Sequence, residues 1–131
     1  MRYINPDSLI KNPDFTNVVV VERNVRTEHI GGQDAVNASG EIVGKGDIVT
    51  QVEQILANLR AALAAAGAGP EHIIKWNIYL VEGQSLQAAF AAYQNAWPET
   101  PNAPAITVVF VSGLAHPDFL VEMDAVAVVP Q

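Results

Sequence analysis

The stretch that decides the fold is APAITVVFVSGLAHPDFLVEMDAVAVV, Ala103 to Val129. It consists of two long apolar runs around a short polar loop, which predicts a hairpin of two strands, Ala105–Ser112 and Leu120–Val129. The second run carries two acids, Glu122 and Asp124, which share one strand face if no bulge intervenes. A carboxylate inside a buried strand is costly unless it has a partner, so these acids need a structural or chemical reason.

The N-terminal part predicts an extended lead-in followed by a β-hairpin. The apolar run Thr16–Glu22 and the alternating run Val25–Ile30 flank Arg23-Asn24, where Asn tolerates left-handed backbone angles. Gly31-Gly32 then marks a bulge or a close approach of the backbone to another group. A further short strand is expected at Glu41–Val43.

The middle of the chain predicts two helices with a strand between them. Asp47 can cap the first helix, whose apolar stripe recurs in steps of three and four until Gly67 ends it. Pro70 begins a single turn, and the run 73–81, IIKWNIYLV, predicts a strand. The second helix lies between a Ser85 cap and Pro98.

This order of elements, β-β-(β)-α-β-α-β-β, indicates an α+β sandwich in which one mostly antiparallel sheet carries two long helices on one face. The last two strands are apolar on both faces: Ile106 and Phe110 lie on one, Val109 on the other. Since two helices cover only one face, the other would be an exposed apolar patch, and we expect a homo-oligomer that buries it.

The bulk composition excludes several classes of function. The chain has 131 residues, and we expect a single domain over 1–131. The net charge of −7 and the absence of a basic cluster argue against nucleic-acid binding. No apolar run is long enough for a membrane span, there is no signal-peptide pattern, and there is no cysteine, so a cytoplasmic location is the default expectation.

Several strings resemble the RidA/YjgF family, also known as endoribonuclease L-PSP proteins. They are Gly31-Gly32-Gln33, the helix VEQILANLRAALAAAG at 52–67, the strand HIIKWNIYLVEG at 72–83, and the ending PAITVV…LVEMDAVAV. The ending is similar to the family's Pro-Ala-Arg-(Ser/Thr) strand followed by (Val/Ile)-Glu-(Ile/Met)-(Glu/Asp)-Ala. Their order and spacing together are fairly specific to the family.

The resemblance implies a chorismate-mutase-like fold and a homotrimer with clefts between neighbouring subunits. It also implies hydrolysis of reactive 2-imino or 2-enamino acids to 2-keto acids and ammonia, without cofactor or metal. In that family an Arg binds the substrate carboxylate through two parallel hydrogen bonds, and the Glu of the last strand helps to place or activate water.

This chain departs from the family pattern at three positions. The position of the Arg is Ile106, which offers neither a charge nor a donor; the family Tyr is Phe15, and an Asn of the second helix falls at about Phe90. Glu122 is retained. The resemblance therefore implies an apolar cleft with one acid and no carboxylate-binding Arg.

Glu122 is the candidate catalytic residue, and its alternative is a structural acid that accepts backbone N–H groups or pairs with a base of another subunit, such as Arg26 or Lys75. The candidate substrate-binding residues are Ile106, Phe15, Gly32, Phe90 and Phe110. Packing within the core or between subunits is the alternative for the apolar ones, and a plain bulge is the alternative for Gly32.

Other polar positions predict less. Asp124 is expected to be solvated or to pair with a base, and His116 is expected to be a surface residue. No two His have the spacing of metal ligands, so we predict no metal and no cofactor.

Three functions follow from these residues. The first is an enzyme of the RidA type that hydrolyses an imine, enamine or similar electrophile, with Glu122 as general acid/base. The second is a non-catalytic trimer that binds a small ligand or regulates. The third, an endoribonuclease, is disfavoured by the charge and by the lack of a paired acid/base His. The sequence does not decide between enzyme and binder, and it does not identify a substrate.

Overall fold

The computed structural model describes all residues, 1–131, as six strands and two helices. In chain order the elements are β1 (Arg2–Ile4), β2 (Val18–Val20), β3 (Val25–Gln33), α1 (Ile48–Ala65), a 3₁₀ turn (Pro70–His72), β4 (Ile73–Val81), α2 (Leu86–Ala96), β5 (Ala105–Val111) and β6 (Val121–Pro130).

The main sheet has four strands in the order β3-β6-β4-β5. β6 is antiparallel to both of its neighbours, and β5 is parallel to β4. The two helices pack together on this sheet, and their apolar stripes share one core with it. The predicted α+β class, with two helices on a mostly antiparallel sheet, is confirmed.

The last two strands do not form the predicted hairpin. β6 lies between β3 and β4, and β5 is the edge strand on the far side of β4. The parallel β4–β5 pair needs a long crossover, which α2 supplies. Two adjacent apolar runs fit a hairpin and a central-plus-edge pair equally well, so the sequence pattern alone could not separate these two arrangements.

The predicted N-terminal hairpin is also wrong. β2 pairs with β1 in a separate two-stranded sheet, whereas β3 belongs to the main sheet. The residue with positive φ in the connection is Arg23, at 71°, and not Asn24. The lead-in thus contributes a strand, and the short strand expected at Glu41–Val43 is reduced to a single bridge between Val36 and Ile42.

The middle of the chain folds as its local signals predict. The Asp47 carboxylate accepts hydrogen bonds from the amides of Val49 and Thr50, and Gly67 follows the helix end with φ 77°. The Ser85 hydroxyl accepts the Ala88 amide at 3.0 Å. In β3 the register shifts between Ile30 and Gln33, which confirms the bulge at the two glycines.

Trp76 of β4 is the centre of the core. It is only 1% exposed and makes edge-to-face contacts with Tyr93 and Trp97, at centroid distances of 5.4 and 5.0 Å. The α1 residues that pack in the same core recur at the predicted helical spacing: Val52, Ile55, Leu56, Leu59 and Leu63. Both tryptophans are therefore core residues, as predicted.

The apolar exposure of the sheet is concentrated on the edge strand β5. Val108, Val109 and Phe110 are each about 40–50% exposed, on both faces of that strand. The face away from the helices is otherwise mixed, because Asn77 and Tyr79 of β4 and the acids of β6 lie there. We expected an apolar patch over the whole uncovered face, but the exposed apolar side chains lie along the edge strand β5. Neither helix is both long and apolar enough to cross a membrane.

Candidate functional site

The Glu122 side chain lies on the face of the sheet that the helices do not cover, here called the open face. At this point β6 passes the bulge in β3. Its neighbour Met123 faces the helices, and alternation along the strand turns Glu122 the other way. A Cβ atom placed on Gly32 would lie only 2.6 Å from Oε2 of Glu122, whereas one on Gly31 would meet nothing. Gly32 therefore makes room for the carboxylate of Glu122.

A second carboxyl group, that of Asp34, pairs with Glu122. Burial, a hydrogen bond to Glu122 and the charge of Glu122 together raise the pKa of Asp34 to about 7. Oδ1 of Asp34 is buried without a hydrogen-bond partner, so no donor stabilises the ionised carboxylate at this oxygen. The Asp34 carboxyl therefore keeps its proton to a higher pH than an ordinary aspartic acid.

Sequence reasoning missed Asp34. The only local signal was an acid placed one residue after the Gly-Gly-Gln bulge, and such an acid is usually solvated. The contact with Glu122 joins positions that are far apart in the chain, so it depends on β6 pairing with β3 rather than with β5.

Neither base suggested as a partner of Glu122 binds it. Nε of Arg26 is 2.9 Å from Oε2 of Glu28, and Nζ of Lys75 is 2.6 Å from the Thr107 hydroxyl. No ion pair reaches Glu122. Within one chain, therefore, neither base neutralises Glu122, and pairing with a base of another subunit stays a prediction.

Asp124 shares the open face with Glu122, as predicted, but its partner is an amide and not a base. Nδ2 of Asn77 donates to Oδ1 of Asp124 at 2.8 Å. A hydrogen bond to Asp124, followed by burial and by the charges of Asp124 and Glu122, raises the pKa of the Tyr79 phenol. Asp124 therefore anchors a polar row beside the carboxyl pair.

Three of the predicted binding residues, Phe15, Phe90 and Ile106, line one cavity on the helix side of the sheet. Its volume is about 320 Å³, and ten of its twelve lining residues are hydrophobic. Trp76 and Met123 contribute to it from the central strands. Phe15 enters because the segment before β2 crosses this end of the sheet, where the Thr16 amide donates to the Pro104 carbonyl at 2.9 Å.

The predicted site residues thus form two groups on opposite faces of the sheet. Ile106 is paired with Trp76 of β4, and Glu122 is paired with Tyr79 of the same strand. Trp76 and Tyr79 are three positions apart, and residues an odd number of positions apart on a strand point to opposite faces. Within one chain the structure does not bring Glu122 and Ile106 together. Phe110 lies outside the cavity and is 50% exposed.

His116 lies in the loop between β5 and β6. Its Nδ1 accepts the amide of Asp118 at 3.0 Å, and its ring is half-exposed beside Phe119. It is a surface residue, as predicted. No group of three or more His, Asp or Glu side chains is arranged to hold a metal ion; the absence of a cofactor stays a prediction.

Comparison with known proteins gives concordant matches. The family model described as Endoribonuclease L-PSP matches residues 12–129. A RutC family protein of Synechocystis is 39% identical over 89 residues, covering 68% of this chain and 67% of that protein. A RutC family protein of Pyrococcus horikoshii is 37% identical over 99 residues, covering 75% of each.

A solved structure extends the likeness to nearly the whole chain. The conserved Rid family protein YyfB of Yersinia pestis is 34% identical, covers 96% of both chains and superposes with a TM-score of 0.80. The sheet order and the placement of the helices are therefore those of the family.

Proposed function

Because the chain belongs to the endoribonuclease L-PSP family, which includes the RutC and Rid proteins, we propose that it is a small-molecule hydrolase of the deaminase type. Its substrate would contain a carbon–nitrogen double bond, as in an imine or enamine. The observation that supports this most strongly is the carboxyl pair of Glu122 and Asp34, which forms no ion pair with a Lys or Arg of the same chain and offers a proton acceptor and a proton donor at one place.

The chemistry needs only these two groups and water. The Glu122 carboxylate removes a proton from water as the water oxygen attacks the imine carbon, and the Asp34 carboxyl donates its proton to the nitrogen. The resulting aminol transfers its hydroxyl proton to nitrogen through the same pair. It then collapses to a carbonyl and ammonia, so that R₂C=NH and H₂O become R₂C=O and NH₃.

The apolar part of the site would come from a neighbouring copy of the chain. β3 and β5 are the two edges of the sheet, so the carboxyl pair lies near one edge and Ile106 near the other. An exposed apolar edge such as β5 needs a cover. A closed ring of identical chains, a trimer as the family resemblance implies, would place the β5 edge of one chain near the Gly32 bulge of the next and close an inter-subunit cleft.

Ammonia release from small imines tests the chemistry. Glu122→Gln should lower the rate by about a hundredfold or more, the usual contribution of a general acid/base. Asp124→Asn is the matched control, because it removes an acid from the same strand face, and it should retain most of the activity. Equal rates for wild type and Glu122→Gln would reject the role of Glu122.

Mixed oligomers test the division of the site between chains. Glu122→Gln and Val108→Trp, which fills the cavity, should each be inactive alone. Co-assembled in equal amounts, they should regain about a quarter of wild-type activity, because one site in four then has both intact halves. No recovery in verified mixed oligomers would place both halves in a single chain.

A ligand-binding role without catalysis is the second candidate, and the apolar cavity favours it. A cavity of about 320 Å³ with Ile106 in the place of a charged residue can bind an uncharged ligand with no reaction. Stabilisation of the protein against heat by a ligand that is recovered unchanged, with no product from any imine, would support this role.

RNA cleavage, which the family name suggests, is the weakest candidate. The chain has 14 acidic residues against 7 basic ones, so its overall field repels phosphate backbones. RNase activity that persists through purification and disappears in Glu122→Ala would overturn this ranking.

A further inference from the structure

The residues that line the cavity on the helix side of the sheet indicate which ligands it can bind. Of the twelve residues that line it, ten are hydrophobic and two are polar, namely Asn12 and Asp14. No Lys, Arg or His is among them. A carboxylate placed there would lose its hydration and meet no cation, and it would also be repelled by Asp14.

Asp14 lies close to the aromatic wall of the cavity. Burial, and then the negative charge of Asp14, raise the pKa of the Tyr93 phenol, so Tyr93 stays a neutral group near this acid. Phe90 and Tyr93 stack with a centroid distance of 6.0 Å, and both lie along the same wall. An exposed carboxylate beside aromatic rings attracts a positive charge, because the ring faces carry negative potential.

The volume suits a ring-sized ligand. A cavity of about 150 Å³ is enough to hold a benzene molecule in a protein core, and this cavity has a volume of about 320 Å³. Its deep end is formed by buried groups such as Trp76 and Met123, whereas Leu86 and Phe90 at its rim are partly exposed. The apolar body of a ligand would therefore lie inside, with a polar end at the mouth.

We propose that this cavity binds a small amine or imine that has an aromatic or branched aliphatic body and no carboxylate, with its nitrogen at the mouth beside Asp14. The claim that such a compound is the substrate rests on the proposed hydrolysis of a carbon–nitrogen double bond. The claim that the cavity prefers to bind such a compound rests only on the residues that line the cavity.

Three probes of similar size test the preference by calorimetry at pH 7. Benzylamine is a cation, benzyl alcohol is neutral and benzoate is an anion. We expect affinity to fall in that order, with benzoate too weak to detect, and we expect salt to weaken only benzylamine. Benzoate binding as tightly as benzylamine would overturn the proposal.

Two variants locate the contacts. Asp14→Asn should weaken benzylamine about two- to fivefold, the effect of one exposed charge, and leave benzyl alcohol unchanged. Glu53→Gln, which removes an exposed acid on α1, is the matched control and should change neither affinity. If Glu53→Gln weakened benzylamine as much as Asp14→Asn, general charge would explain the preference and the role of Asp14 would be rejected.

A substitution that fills the cavity tests whether the ligands bind there. Val108→Phe should abolish binding of both benzylamine and benzyl alcohol, because its ring would occupy the cavity. Unchanged binding in a folded Val108→Phe protein would show that the ligands bind elsewhere and would overturn the proposal.

Failure of catalysis gives a different pattern from failure of this inference. If Glu122→Gln matched wild type in ammonia release, the hydrolase would be rejected, but the order of the three affinities would still hold. If turnover were confirmed with substrates that carry a carboxylate, the inference would fail and the hydrolase would stand.

Discussion

The two faces of the main sheet differ in what each gives to chemistry. The open face carries the carboxyl pair of Glu122 and Asp34 and the hydrogen-bonded row of Asn77, Asp124 and Tyr79. The helix-covered face carries the aromatic core around Trp76 and the apolar cavity beside it. The open face carries the titratable and charged groups, and the helix-covered face provides a cavity with hydrophobic walls.

The separation of the faces is a consequence of strand geometry. Adjacent residues on a strand point to opposite faces, so Glu122 and Met123 are neighbours in the chain but serve different faces. One chain can therefore build two half-sites on the same strands without exposing a carboxylate to its own core. The cost is that a complete site, as we propose it, needs a second chain.

The largest expected effect is on stability and lies on the helix-covered face. Trp76→Ala should lower the free energy of unfolding by about 3–5 kcal/mol, because it removes a buried indole and leaves a large cavity. Tyr79→Ala, on the open face of the same strand, should lower the free energy of unfolding much less, because it removes chiefly a hydrogen bond to Asp124. Urea unfolding monitored by circular dichroism measures both.

If both variants lost a similar amount of unfolding free energy, the two faces would not differ in packing. That result would mean that Tyr79 is as well packed as Trp76 in solution, as it would be if another chain covered the open face. Measuring both variants over a range of protein concentrations separates packing within a chain from packing between chains.

The second effect is on activity and comes from two neighbouring glycines. Gly32→Ala should lower ammonia release about tenfold or more, because its methyl group would displace the Glu122 carboxylate, and a small displacement of a catalytic group is costly. Gly31→Ala is the matched control, since a Cβ there meets nothing. Neither glycine has a positive φ, so both alanines fit the backbone.

Both variants should unfold within about 1 kcal/mol of wild type, because the atom that Gly32→Ala meets is the end of a flexible side chain. An active Gly32→Ala protein would mean that Glu122 does not need its present position, which would weaken the case for the carboxyl pair as the catalytic group.

Local sequence signals predicted the local structure well. The Asp47 and Ser85 caps, Gly67 at the end of α1 and the strand Ile73–Val81 all follow from residues close to them in the chain. The order of the elements then predicted the α+β class, which the packing of α1 and α2 on the sheet confirms.

Long-range pairing was the part that the sequence could not supply. The apolar patterns of β5 and β6 do not say which strand pairs with which, and the position of β6 between β3 and β4 decides that Glu122 meets Asp34 and Gly32. The same register places Ile106 on the other face. The candidate residues were thus recognisable one by one, but their division into two groups depends on the topology.

The smallest expected effect is the pH dependence of the carboxyl pair. Because the pKa of Asp34 rises from 3.8 to about 7 on folding, the folded protein keeps a proton that the unfolded chain loses. The stability from this group is therefore complete below about pH 4 and is lost as the pH rises through about 7. Asp34→Asn has no proton to lose, and its amide can still donate to Glu122.

Compared with wild type, Asp34→Asn should gain stability between pH 4 and pH 8. The gain should be about 1 kcal/mol, well below the value implied by the full shift, because solvent screens this partly exposed group. Thermal unfolding over this pH range, with Glu53→Gln as the exposed-acid control, measures the gain as a few degrees in Tm. Parallel pH curves for wild type and Asp34→Asn would mean that the two carboxyls do not share a proton. The open face would then hold a single acid, Glu122, and lack the proton donor that distinguishes it from the apolar face as a site of catalysis.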